Sequence, residues 1–335
     1  MEPKVSGAVV CWLLVCAAMI FAMVVIGGVT RLTESGLSIV EWKPVTGALP
    51  PLSDTEWQAE FDKYRQFPEY QKINRGMSLD EFKGIFWWEY IHRLWGRLIG
   101  IVFLVPFLFF WVTGRIPPGY RRRLVFIFLL GGAQGALGWY MVQSGLVDRP
   151  DVSQYRLAAH LGLAVAIYGF ILWTAWRMRE ARGRAGPAGP IGAITLGLLF
   201  ITILAGAFVA GIDAGRDYNT WPLMDGRFVP EAYGALSPWW RNLFENIPSV
   251  QFNHRWLAAL VALHVLLFWR RTEKMETRAQ MAGRIALGTV GAQFMLGIAA
   301  LLTAVPVLLG ALHQAGAMVL FTAVLWANHR IRVAN

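Results

Sequence analysis

Four histidines occur in stretches that offer few other polar groups: His92 in "FWWEYIHRLWGRLIG" (86–100), His160 in "LAAHLGLAV" (157–165), His254 in "QFNHRWLAAL" (251–260) and His313 in "GALHQAGAMV" (310–319). Ionisable groups in apolar runs cost several kcal/mol unless compensated, so they mark sites. Two imidazoles on facing helices can hold one six-coordinate haem iron, one ring on each side of the macrocycle. A porphyrin is apolar over most of its area, but its propionates need cations near the membrane edge. Arg93 and Arg255, each directly after a histidine, are suited to that. Zinc or copper on the same histidines would need further Cys, His or carboxylate ligands. His264 and His329 have no counterparts of this kind and read as structural.

Glu89 lies three residues before His92, on the same helix face, where the matching position before His254 is Gln251. One reading makes Glu89 a proton acceptor or a stabiliser of positive charge in a reaction. The other pairs it with Arg93 or Arg97 at the membrane edge. The residues alone leave both open.

The elements that must carry these groups follow from composition. The chain has 335 residues, 56% apolar and 16% charged, with 16 tryptophans, which defines an integral membrane protein. The spans expected are 6–29, 86–112, 123–146, 155–177, 190–211, 249–270, 284–303 and 307–328. The apolar run 285–328 would reach about 66 Å as one helix at about 1.5 Å per residue, so it breaks at "TAVP", before Pro306. Counted from these span starts, each of the four histidines lies about 8–9 Å down its helix.

The chain also repeats. "EYIHRLWGRL" (89–98) matches "QFNHRWLAAL"; "AQGALGWYMVQ" (133–143) matches "AQFMLGIAALL" (292–302); "LAAHLGLAV" matches "GALHQAGAMV". His92 therefore corresponds to His254, and His160 to His313. The expected fold is an all-α integral membrane protein of eight transmembrane helices, arranged as two tandem, pseudo-twofold-related four-helix bundles. Residues 1–184 would form the first, with a long outer loop at 30–85, and 185–335 the second, with an outer loop at 212–248. Gly186–Pro187 and Gly189–Pro190 mark the linker, and four spans per half imply that both halves insert in the same sense.

Short segments after the second, fourth, sixth and eighth spans, with Lys4, hold 16 of the 31 Lys and Arg residues. That places them and both termini on the cytoplasmic side, and the histidines towards the outer side. The same bias accounts for the net charge of +10 and removes the case for a nucleic-acid-binding face. The N-terminal run reads as a retained helix rather than a signal peptide, and the absence of an Arg/Ser-rich leader favours a bacterial inner membrane. Cys11 and Cys16, on one helix, point apart, and no CxxC or CxxCH motif exists.

Two outer segments, "GGVTRLTESGLSIVEWKPVTGALPP" (27–51) and "GAFVAGIDAGRDYNTWPLMDGRFVP" (206–230), taken with the "EYIHR" and "NHR" sites, resemble the heme A synthase family over nearly the whole chain. Within it, the chain is similar to the mitochondrial and alphaproteobacterial type. The resemblance implies oxidation of the ring-D (C8) methyl of heme O to a formyl group through a hydroxymethyl stage, giving heme A for terminal oxidases. It implies that His92 and His160 flank the substrate heme O with Glu89 nearby, and that His254 and His313 ligate haem b. It further implies a heme O synthase and an electron-transfer partner. Some relatives carry a cysteine pair in an outer loop that this chain lacks. Arg31 and Arg216 are the preferred outer-edge cations for propionates; Thr33, Ser35, Asp213, Asn219 and Thr220 have either site or loop-folding roles. Trp87, Trp88, Trp239 and Trp240 suit an interfacial belt. The rival functions are a di-haem electron-transfer cytochrome and a transporter.

Overall fold

A computed structural model describes residues 7–43, 46–146, 151–179 and 190–333. Its helices are α1 (Gly7–Leu32), α2 (Asp54–Tyr64), α3 (Pro68–Lys72), α4 (Leu79–Val112), α5 (Pro118–Gly145), α6 (Gln154–Arg179), α7 (Pro190–Gly211), α8 (Ile247–Thr272), α9 (Thr277–Leu302) and α10 (Val307–Val333). Among the described residues there is no strand, only one isolated bridge, Met224–Arg227. All but α2 and α3 are long and apolar enough to cross a bilayer, which makes eight spans. The expected linker at 186–189, with Lys4, Arg182 and Arg184, lies outside the described residues.

Helix starts differ from the apolar limits because charge ends a hydropathy run without ending a helix. α4 begins at Leu79, not at residue 86, behind a capping box: Ser78 Oγ accepts from the Glu81 amide and the Glu81 carboxylate accepts from the Ser78 amide. α5 and α9 likewise begin before the expected 123 and 284. For His92, therefore, distance from the helix start does not measure depth as it does for the other three histidines. The break at "TAVP" is present: Ala304 and Val305 take left-handed backbone, φ 57° and 56°, and α10 starts immediately after Pro306.

The segment expected as a long outer loop at 30–85 is partly helical. Trp57, Phe61 and Tyr64 of α2 pack with Phe82, Phe86 and Tyr90 of α4 and with Leu37 and Val40, a small apolar core above the membrane-spanning body. The main core is built by α1, α6 and α10 with parts of α4, α7 and α8. In the first half α4 packs on α1, α5 on α6, and α6 on α1; in the second α8 packs on α7, α9 on α10, and α10 on α7. Between them α6 meets α7 and α1 meets α10, the latter tied by Gln314 Nε2 donating to the Val24 carbonyl at 2.8 Å. α8 and α9 pack closely, whereas α4 and α5 meet over a shorter length.

Candidate functional site

The four histidines each pack on a glycine, three of them alike: His160, His254 and His313 turn Cε1 to it, whereas His92 turns Nε2. Each ring lies against a glycine of the neighbouring helix: His92 against Gly27 of α1, His160 against Gly138 of α5, His254 against Gly206 of α7 and His313 against Gly297 of α9. A Cβ on those glycines would stand 3.2, 3.0, 3.1 and 2.8 Å from the nearest ring atom. Any larger residue would displace the ring, so the helices approach closely where imidazoles must be held. Gly27 matches Gly206 and Gly138 matches Gly297 in the internal repeat.

The rings also pair. His254 and His313 face each other with ring centres 6.4 Å apart and planes at 86°. Two metal–nitrogen bonds of about 2.0 Å plus a ring radius of about 1.1 Å on each side place coaxial imidazoles about 6.2 Å apart. The second pair thus has the spacing that two ligands on one iron require. His92 and His160 lie on α4 and α6, each against its glycine. Among the described residues no group of three His, Cys, Asp or Glu side chains gathers around a common point. A haem fits such a pair because its macrocycle supplies the other four ligands.

A second layer holds the outer segments over these rings. Arg93 donates to Glu89 Oε1 through Nε and Nη2, at 3.0 and 2.6 Å, and to the carbonyls of Ile39 (2.6 Å) and Glu41 (3.1 Å). Glu89 Oε2 accepts from Ser38 Oγ and the Ile39 amide, both at 2.7 Å. Arg255 repeats the pattern with the carbonyls of Tyr218 (2.5 Å) and Thr220 (2.8 Å) and with Gln251 Oε1 (2.9 Å); Gln251 in turn donates to the Ala214 and Asp217 carbonyls. Of the two roles left open for Glu89, the ion pair with Arg93 is present, one helical turn away, with Glu89 only 2% exposed.

The charge balance differs between the clamps. Arg93 is offset by Glu89, whereas Arg255, 8% exposed, hydrogen-bonds only neutral acceptors, with the Asp225 carboxylate acting on it from farther off, and its Nε has no partner. A buried cation without a hydrogen-bonded counter-ion is costly, and an anion arriving beside it would relieve that cost.

Arg31 and Arg216 bridge the two outer segments. Arg31 donates to Asp213 at 2.7 Å and Arg216 to Glu34 at 3.2 Å. Glu34 and Asp213 match in the repeat, each in left-handed backbone (φ 52° and 53°) just after its helix. Thr33 and Ser35 bond each other at 2.7 Å, Asn219 donates to the Gly215 and Leu301 carbonyls, and Thr220 Oγ1 receives the Asp225 amide. All four make loop-folding bonds. His329 is enclosed by Trp173 and Trp176. The four belt tryptophans are exposed.

Two features went unread in the sequence although the matched "AQGALG" and "AQFMLG" segments contain them. Gln134 and Gln293 bond their facing histidines, and Gly135 stands where the second half has Phe294. Phe294 packs edge-on to Trp221 of the outer segment, ring centres 5.7 Å apart, while a Cβ on Gly135 would meet nothing within 4 Å.

Eight helices long and apolar enough to span, four of them carrying a histidine packed on a neighbour's glycine, define a multi-pass membrane protein. The sequence profile of the COX15-CtaA family, described as cytochrome oxidase assembly protein, matches residues 10–325, and the chain belongs to that family. It is 52% identical over 336 residues to a protein named Heme A synthase in Nitrosospira multiformis, covering 98% of this chain and 94% of that one. It is 55% identical to proteins of the same name in Parvibaculum lavamentivorans (97% and 94% covered) and Rhodospirillum centenum (97% and 88%).

Proposed function

We propose that the chain acts as its relatives are named, as a heme A synthase, a membrane oxidoreductase that converts the ring-D methyl of heme O to a formyl group through a hydroxymethyl stage. The observation that carries the ligand assignment is the facing pair His254–His313 at 6.4 Å, with a glycine cradle also at His92 and His160. Residues 1–184 and 185–335 act as two related four-helix bundles, one holding substrate and one holding a resident group, with both termini cytoplasmic and the histidine pairs towards the periplasmic side.

His254 and His313 would ligate a resident haem b, which when bound supplies a one-electron redox couple. Arg255 serves it as a propionate partner, supported by the unpartnered Nε and by the lack of a carboxylate among its hydrogen-bond partners. Heme O binds between His92 and His160. Arg93, already neutralised by Glu89, holds an anionic edge less strongly, which suits a substrate that must leave. Gly135 and the shorter α4–α5 contact leave space in this half that Phe294 and Trp221 fill in the other. Arg31 and Arg216, each held by a carboxylate of the opposite segment, keep the two outer caps in register.

Both oxygens of Glu89 are occupied by donors, which favours a fixed anionic group over a proton acceptor. In that role it lowers the cost of positive charge developing at the substrate methyl carbon. A heme O synthase supplies the substrate; with water as the oxygen source, each of the two stages adds one oxygen to the methyl carbon, sends two electrons to an electron-transfer partner and releases two protons, and the hydrated aldehyde then loses water.

Mass identification of haems extracted from purified protein tests the reading. Haem b together with heme O, heme A or the alcohol between them is expected; haem b alone, at two per chain, would instead favour a di-haem electron-transfer cytochrome.

A further inference from the structure

Each half has one histidine with an amide side chain beside it. Gln134 Nε2 lies 3.2 Å from His160 Nδ1, 3.3 Å from His160 Nε2 and 3.1 Å from the His160 carbonyl oxygen. Gln293 Nε2 lies 3.1 Å from His313 Nδ1 and 2.9 Å from the His313 carbonyl oxygen. In both, the amide oxygen Oε1 is buried without a partner. Two matched glutamines with the same unmet acceptor point to one purpose. An unpaired buried acceptor costs about 1–3 kcal/mol.

A neutral imidazole carries one proton. In the tautomer whose Nδ1 accepts the amide N–H, the ring proton sits on Nε2, where it blocks ligation. A ring that binds iron through Nε2 must carry its proton on Nδ1, which then donates. The acceptor such a donor needs is the buried Oε1 of the same glutamine. We propose that Gln134 and Gln293 are positioning residues for the ligating imidazoles of His160 and His313, with each amide turning its oxygen to Nδ1–H when Nε2 takes iron. This inference rests on the ligation proposed above. The accepted bond fixes the ring plane against Gly138 or Gly297 and makes the imidazole a stronger donor to the metal.

The other two histidines lack this device. Four residues before Gly27 and Gly206, where Gln134 and Gln293 precede Gly138 and Gly297, stand Met23 and Thr202. The Thr202 hydroxyl donates to its own helix at Leu198. The Thr202 backbone, however, lies beside the His254 ring, so the ligands of that pair are held by different groups, an amide side chain at His313 and the main chain at His254.

The test uses full-length protein purified with its haem. Gln293→Leu removes the acceptor at similar size, and Gln293→Glu strengthens it. The account expects the haem b midpoint potential to rise with Leu and fall with Glu, because a better-supported imidazole stabilises the oxidised iron. Haem transfer to apomyoglobin should be about 10–100-fold easier from the Leu variant and near normal from the Glu variant. If the Glu variant fails to load haem, the Leu potential and transfer measurements still decide. Unchanged potentials, or shifts of one sign in both variants, overturn the positioning role. His313→Ala provides the separation: if it keeps the wild-type haem spectrum, the ligation itself fails; if it loses haem while Gln293→Leu is unaltered, only this inference fails.

Discussion

Arg93 and Glu89 form a two-point ion pair one helical turn apart on α4, at 3.0 and 2.6 Å, and together they hold the backbone of residues 38–41 over the first histidine pair. Gln251 and Arg255 do the same for residues 214–220 with no net negative group. Glu89→Gln in effect imports the second half's clamp. Its fold and haem b content are expected to stay normal, while heme A formed per haem b drops by about two orders of magnitude. Near-normal heme A formation would remove Glu89 from the chemistry.

The unequal charge of the two clamps separates Arg255 from Arg93. Arg255→Gln should strip haem b from the purified protein and leave heme O content little changed. Arg93→Gln exposes Glu89 as a buried unpaired carboxylate and should act on the first half alone. Haem content by pyridine haemochrome with mass identification reads both; equal haem b loss in the two variants would contradict the assignment of propionate partners.

Gly135→Phe transplants the second half's residue into the first. Phe294 closes against Trp221, so the substitution should fill the open space at Gly135, one helical turn from the Gly138 that carries His160, and block heme O binding. Haem b should remain. Retention of heme O and normal turnover would show that this space does not serve the substrate.

The outer cap has a pH dependence that can be measured without haem. Burial, then the charge of Glu89, pushes the Glu69 carboxyl up to about 8 from an ordinary 4.5. Between those values the folded cap keeps a proton that the unfolded chain has released, so the cap is most stable below about 4.5, loses stability as pH rises through about 8, and then levels off. Limited proteolysis within α2 and α3 should be faster at pH 9 than at pH 6, and Glu69→Gln should flatten the difference. Greater protection at pH 9 would contradict it.

Much of this was legible in the chain itself. The eight spans follow from hydropathy, and the histidine pairs follow from the repeat, because both depend on residue type and spacing along one helix. The pairing of Glu89 with Arg93 was also open to reading, since residues four apart share a helix face. α2, α3 and the early start of α4 were not, because capping and a small aromatic core, not membrane hydropathy, stabilise them. Nor was it legible that Arg93 and Arg255 bind loop carbonyls, or that Arg31 and Arg216 cross to carboxylates 182 residues away. Those partners come from distant segments and are fixed only once the helices pack. The glutamine and glycine companions of the histidines were printed in the repeat, but their meaning depends on which helices become neighbours.

The most direct test of two unequal haem sites is the mass-resolved haem content of His254→Ala and His92→Ala proteins, purified from cells that make heme O. The account predicts that His254→Ala loses haem b and still carries heme O, and that His92→Ala keeps haem b and carries neither heme O nor heme A. Equal loss of all haems from both variants, or haem b lost from His92→Ala alone, would contradict it.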